Sequence, residues 1–338
     1  MIAAPRFWWQ PPGPVSRLLR PASALYGAVA ASRMRSAPAL MPPLPTICVG
    51  NPTVGGAGKT PTAMAIARVA IGLGLRPGFL TRGYGRATRG ELLVDPDRHD
   101  AREVGDEPLL LAAVAPTVVA EDRLAGARLL AENGCELIVM DDGFQSRQLA
   151  PDLALLVVDG GRGLGNGHVL PGGPLRAPLG VQLRHVDAVV VVDSGRGTEG
   201  ADAFCDLART RSVEVMRARL VPEDGERLAG RRVVAFSGLG DPARFVAMLD
   251  ALGADVVARR DFPDHHAFSE RDLVAIGALA REYEALPVTT SKDAARIPAG
   301  SLEHEVLRVA IRFEDGAAER LVAEAVRHHA ERTDAPPS

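Results

Sequence analysis

Short apolar runs, rich in β-branched residues and ending on an acid or a glycine, alternate along this chain with stretches whose apolar positions recur at helical spacing. Residues 46–49, 78–81, 117–120, 137–140, 153–158 and 188–192 are such runs. Their apolar character is continuous rather than alternating. That indicates strands buried on both faces, as in a parallel sheet covered by helices. Residues 61–69, 109–114 and 122–133 read as helices between them, with Pro61 in a first turn. The alternation predicts an α/β fold built on a doubly wound, mostly parallel sheet. From about residue 215 to 230 the pattern turns polar, and Pro222, Glu223, Asp224 and Gly225 read as a connector. Beyond it, strands at 233–236, 255–257, 287–290 and 307–311 and helices near 242–252, 269–284 and 316–330 predict a second, smaller α/β unit.

The first of these strands runs into Gly55, Gly56, Ala57, Gly58, Lys59 and Thr60, which a helix follows. Strand, glycine-rich loop, Lys-Thr and helix are the parts of a phosphate cradle. The glycines let backbone N–H groups point at phosphate oxygens, and the helix N-terminus adds partial positive charge. Lys59 would reach the β- and γ-phosphates of ATP, and the Thr60 hydroxyl would ligate Mg²⁺. Thr53 stands where the usual pattern has its first glycine. An ordinary glycine-rich turn is the plainer reading. Lysine usage sharpens the choice: of the 39 Lys and Arg, only Lys59 and Lys292 are lysines. A compact ammonium fits a cradle that a planar guanidinium would overfill. The expected organisation is residues 1–35 as a membrane-associating segment of the first domain, 36–220 as a P-loop NTPase-like kinase domain, and 221–332 as a C-terminal α/β domain. Ligands would bind in the cleft between the two domains.

Asp141 and Asp142 end an apolar strand, where P-loop enzymes hold Mg²⁺ or its water, although a strand-ending acid also serves as a turn former. Asp106, in Gly105-Asp106-Glu107-Pro108, is either a helix N-cap or a general base for an acceptor hydroxyl. Asp264 beside His265 would orient the imidazole and raise its basicity, or the pair is a surface turn. His265 and His266 lack a third ligand at metal spacing, so zinc is not expected. Two glycine-bearing loops, Arg82-Gly83-Tyr84-Gly85-Arg86 and Leu170 through Arg176, would grip anionic groups or simply turn. Arg123 would contact phosphate or pair with Glu121 and Asp122. Lys292 reads as cleft-lining.

Charge is distributed unevenly. The formal net charge is −3, yet residues 1–90 hold no Asp or Glu. An acid-free basic segment suits an anionic membrane surface or a phosphate-rich substrate. Trp8 and Trp9, the only tryptophans, adjoin Arg6. Val15, Leu18, Leu19, Ala22, Leu25, Tyr26 and Val29 recur at helical spacing among arginines. This predicts an interfacial amphipathic segment with aromatic anchors, against the alternative of a helix packed on the domain's own core. No stretch is apolar enough to span a bilayer, and the first residues lack the compact apolar core of a cleavable signal. The three scattered cysteines suit a reducing compartment. Aromatics at 4% argue against a nucleic-acid stacking platform, and no protein partner is indicated.

Taken in order, these motifs resemble the tetraacyldisaccharide 4′-kinase family of the lipid A pathway. The resemblance is carried by residues 49–61, 81–85, 105–108, 141–145, 170–176, Asp264-His265 and 290–293, with Phe7-Trp8-Trp9 and Leu25-Tyr26-Gly27 at the start. It covers nearly the whole chain. It implies a peripheral enzyme on the cytoplasmic face of the bacterial inner membrane, moving the ATP γ-phosphate to the 4′-hydroxyl of an acylated disaccharide 1-phosphate to form lipid IVA. It implies Asp106 as base with Asp264 and His265, Asp141 and Asp142 organising Mg²⁺, and Gln145 and Arg123 as ATP-site contacts. The competing reading of the residues alone is a membrane-associated regulatory ATPase with no small-molecule acceptor.

Overall fold

Twelve strands form one sheet, with helices on both faces. The structure is a computed structural model that describes residues 4–36, 40–83, 85–146 and 148–334. The strands are β1 (Thr46–Gly50), β2 (Pro77–Thr81), β3 (Leu92–Leu93), β4 (Thr117–Val119), β5 (Leu137–Asp141), β6 (Leu153–Asp159), β7 (Ala188–Asp193), β8 (Glu214–Glu223), β9 (Arg232–Ser237), β10 (Asp255–Asp261), β11 (Leu286–Thr290) and β12 (Glu305–Phe313). Their order across the sheet is β10-β9-β11-β12-β8-β7-β6-β1-β5-β2-β4-β3. All neighbours run parallel except β12 against β8 and β3 against β4.

The continuous apolar runs behave as a doubly covered sheet requires. Every residue of β1, β2, β5 and β6 is buried. On one face, helix Lys59–Gly72 and the last helix, Ala317–Asp334, pack through Ala63, Ile66, Leu321 and Val322. Ile66 is fully buried, so truncating it to alanine costs about 2–5 kcal/mol. On the other face lie Arg123–Glu132, Asp202–Arg209 and the N-terminal helix Arg20–Ser36, whose Ala31 and Met34 enter the core.

Three features differ from the sequence expectation. Residues read as the start of a polar connector form β8. Its Arg217 and Arg219 are exposed while Met216 and Ala218 are buried, so an alternating, half-solvated strand carries no continuous apolar run. The expected division at residue 220 thus falls inside a strand. Finally, the last helix, expected with the second unit, packs on helix Lys59–Gly72 and β1 of the first. The chain leaves through β8 and returns through β12. The start of β12 pairs with β11, and its remainder pairs with β8.

Candidate active site

The loop after β1 is held from within. Asn51 is buried, and its Nδ2 donates to the carbonyls of Thr53 (2.5 Å) and Gly55 (3.2 Å). Gln145 Nε2 donates to the Asn51 carbonyl at 3.0 Å. Gly55 and Gly58 have φ of 117° and 94°, which a side chain would strain. Gly58 caps helix Lys59–Gly72 without any side-chain bond to its first turn. The first-turn N–H groups are therefore left to an anion, at the positive end of a 14-residue helix. A Cβ on Gly56 would meet nothing within 4 Å, so the loop opens onto free space.

β5 is the neighbour of β1, with Asp141 in register with Val49. This sets Asp141 beside the first turn of the helix, where the Thr60 hydroxyl donates to its Oδ2 at 2.8 Å. Oδ1 is buried without a hydrogen-bond partner among the described residues. Burial, reinforced by the charge of Glu107, pushes the Asp141 carboxyl up to about 7, against the pull of Lys59. An under-compensated buried carboxylate beside a hydroxyl fits a divalent cation. Among the described residues no group of three or more His, Cys, Asp or Glu could hold a metal. A cation taking one or two protein oxygens and completing its shell with phosphate and water suits Mg²⁺.

Asp142 differs. It sits at φ 56°, and Arg176 grips both oxygens at 2.9 and 3.3 Å, with Lys59 Nζ at 4.0 Å. Burial alone would raise its pKa; Lys59 and Arg176 outweigh that and lower it. Gln145 lies between the loop and Arg176, its Oε1 3.5 Å from Nη1. Arg123 is buried, its backbone N–H bonded to Gln148 Oε1 at 3.1 Å and its Nη1 without a partner among the described residues. Its charge acts on Cys48, Asp142 and Asp141. Cys48 is no nucleophile, since burial pushes its thiol up to about 12.

A second cluster joins the two units. Gly105, at φ 97°, takes the helix cap expected for Asp106, and Asp106 opens the helix Asp106–Ala112. Asp106 Oδ1 accepts the Glu107 N–H at 3.0 Å, and Oδ2 lies 3.0 Å from His265 Nδ1 and 3.5 Å from Arg296 Nε. Burial works to raise the Asp106 pKa, but the His265 hydrogen bond and the charges of Lys292 and Arg296 bring it below the usual carboxylate value. His265 occupies φ 59°, held by its N–H to the Gly238 carbonyl at 3.3 Å. Such positions cost energy and cluster at functional sites. Asp264 Oδ1 is 3.9 Å from His265 Nε2, beyond hydrogen-bond reach, so the carboxylate orienting the imidazole is Asp106. His266 bonds Asp272 at 3.1 Å and stacks on Phe262, which makes it a structural residue.

Sequence reasoning missed Arg296 entirely and left Lys292 without a role. Lys292 Nζ is 3.1 Å from His265 Nε2, 3.6 Å from Glu107 and 3.8 Å from Asp264. Arg296 binds Asp293 at 2.6 Å and the His266 carbonyl at 2.8 Å, fastening the His265 loop to the helix Ser291–Ala294 that follows β11. The one available signal was the rarity of lysine. Arg296 is one of many arginines. In the loop after β2, Arg86 is spent on the carbonyls of Val119 and Gly90, and Tyr84 lies outside the described residues.

The N-terminal tryptophans engage the protein itself. Trp8 is buried and donates to the Pro171 carbonyl at 3.0 Å, and Arg162 lies over the Trp9 ring at 5.0 Å. Packing thus replaces the expected interfacial role of Trp8, while Trp9 stays half-buried. The exposed apolar side chains are instead Leu18 (80% accessible), Leu25 (70%), Val15, Tyr26 and Val29. Behind this face a cavity of about 250 Å³ runs from Tyr26, Val29 and Arg33 to Gln145 and Arg176. No helix among the described residues is long and apolar enough to cross a membrane.

A family model described as LpxK, tetraacyldisaccharide-1-P 4′-kinase, matches residues 15–327. A tetraacyldisaccharide 4′-kinase of Methylorubrum extorquens is 53% identical over 313 residues, covering 92% of this chain and 94% of that protein. The Agrobacterium fabrum protein of the same name is 49% identical over 294 residues, covering 87% and 84%. A crystal structure of LpxK from Aquifex aeolicus in complex with ATP superposes with a TM-score of 0.73 at 28% identity, covering 93% of this chain and 99% of that one. The chain therefore belongs to the tetraacyldisaccharide-1-P 4′-kinase family.

Proposed function

We propose that this chain transfers the γ-phosphate of ATP to the 4′-hydroxyl of a tetraacylated glucosamine disaccharide 1-phosphate, forming lipid IVA, with Asp106 as the base. The observation that carries this reading is the Asp106–His265 pair, contributed by opposite units and joined at 3.0 Å. Glu107 links the pair to the phosphate cradle. Its charge bears on Asp141, and its carboxylate is 3.6 Å from Lys292. Lys59 and the helix N-terminus neutralise the β- and γ-phosphates of ATP, which they hold in line for attack. Thr60 and Asp141 hold Mg²⁺, which when bound offsets negative charge on the phosphate oxygens. Arg176 fixes Asp142 beside Lys59, and Arg123 and Gln145 line the ATP site. The acceptor oxygen bonds to the γ-phosphorus as the bond to ADP breaks, and the hydroxyl proton passes to Asp106. A weak carboxylate base suffices, because a loose transition state builds little positive charge on the attacking oxygen.

Leu18, Leu25 and Val29, with Arg17, Arg20 and Arg33 nearby, support peripheral docking on an anionic membrane at the cytoplasmic face of the inner membrane. The acyl chains then stay near the lipid while the sugar enters beside Gln145. Membership of a kinase family favours this reading over a regulatory ATPase. The test is incubation with γ-labelled ATP and tetraacyldisaccharide 1-phosphate. Label recovered in the lipid as a 4′-monoester supports the reading. Label recovered only as inorganic phosphate overturns it.

A further inference from the structure

Lys292 is one of only two lysines in the chain, and the phosphoryl-transfer reading gives it no task. It lies on the short helix Ser291–Ala294 directly after β11. The His265 ring stands between a cation and an anion, with Nε2 3.1 Å from Lys292 Nζ and Nδ1 3.0 Å from Asp106 Oδ2. An ammonium has three N–H donors and no lone pair to offer. Nε2 must therefore accept, and the single ring proton sits on Nδ1 and is donated to Asp106. We propose that Lys292 is a positioning residue that fixes His265 in the neutral Nδ1–H tautomer and so aims that proton at Asp106.

This rests on the reading of Asp106 as base. An Nε2–H proton would face the ammonium directly, so the Lys292 contact excludes the Nε2–H tautomer. Charged groups face this ring from helix Asp106–Ala112, from its own loop and from the helix after β11. Asp106 comes from helix Asp106–Ala112, with Arg296 beside it at 3.5 Å. Asp264 comes from the ring's own loop, with Oδ1 at 3.9 Å from Nε2. Lys292 comes from the helix after β11. Glu107 and Asp264 flank the ammonium at 3.6 and 3.8 Å, so Lys292 also ties the second unit to the first. The lowered pKa of Asp106, to which both His265 and Lys292 contribute, agrees with an ionised acceptor of the Nδ1 proton.

The test uses the full chain with ring-¹⁵N-labelled histidine, the His265 signals being identified by their loss in His265→Gln. At pH 8 the wild type should show a protonated Nδ1 and an unprotonated Nε2. Lys292→Met, similar in length but without charge or donor, should shift His265 toward the Nε2–H form. Its kcat should fall about 100-fold with KM for ATP nearly unchanged. Lys292→Arg, still a donor-only cation, should keep the tautomer. Should Lys292→Met fold poorly, Lys292→Gln gives the same reading, since an amide also accepts and releases the tautomer. An unchanged tautomer in the uncharged variant overturns the proposal. The tautomer is read without turnover, so this failure is distinct from failure of the kinase reading.

Discussion

Two buried aspartates of the first unit, Asp141 and Asp106, are treated oppositely by the fold. Asp141 is 1% accessible, meets one hydroxyl, and has its pKa raised by burial to about 7. Asp106 is 6% accessible, nearly as buried, yet its pKa is lowered because His265, Lys292 and Arg296 converge on it. Burial penalises both, and only partners distinguish them. The first carboxylate is left under-compensated, as the proposed Mg²⁺ site requires. The second is already compensated, but by residues of the other unit, so its compensation exists only while the units face each other. One centre lacks a cation, and the other is completed by the second unit.

The largest effect should come on the cradle side. Lys59→Ala should lower turnover by about 10³-fold or more while the melting transition stays near that of the wild type, since Lys59 neutralises phosphate charge and bears little of the packing. Turnover within tenfold of wild type would remove the cradle from the account.

Stability should separate the two acids by sign. The folded pKa of Asp141 is raised, so its contribution to stability is full below the ordinary carboxylate pKa and is lost as pH rises through about 7. In metal-free protein at pH 8, Asp141→Asn should therefore gain on the order of 1–4 kcal/mol while losing activity. The pKa of Asp106 is depressed, so its contribution is present above the ordinary value and is lost as pH falls. Asp106→Asn should lose about 1–3 kcal/mol at pH 8. Thermal unfolding of both variants from pH 4 to 8 checks this, and equal signs at pH 8 would break the comparison.

The smallest effect belongs to the N-terminal face. Leu18→Glu with Leu25→Glu should weaken co-sedimentation with anionic vesicles about tenfold and leave ATP binding intact, because both side chains are exposed. Unchanged sedimentation would leave docking to the arginines alone.

What the sequence revealed follows from which physics is local. Continuous β-branched runs announce doubly buried strands, so β1, β5, β6 and β7 were legible, as was the glycine-rich loop between β1 and its helix. β8 was not, because its solvent face carries Arg217 and Arg219, it starts on the exposed Glu214, and its end carries Pro222. The helical period of residues 317–334 was plain, but a period does not say which sheet receives it. Trp8 beside Arg6 fits an interfacial anchor and a buried indole equally well. The bond to the Pro171 carbonyl that decides between them spans 163 positions. In the cleft, Asp106 and His265 were legible as acids and bases. That Asp106 rather than Asp264 orients the ring is a long-range fact, and so is the presence of Lys292 behind it.

The proposed function requires Asp106 and His265, contributed by the two units, to act as one device. Its most direct measurement is the kcat of Asp106→Ala, His265→Ala and the double variant with the tetraacyldisaccharide 1-phosphate acceptor, with ATP affinity measured separately. The account predicts that each single variant loses about 10²–10⁴-fold in kcat with ATP affinity nearly unchanged, and that the double variant is little worse than the worse single. Losses that multiply in the double variant, or an unchanged kcat in Asp106→Ala, would contradict it.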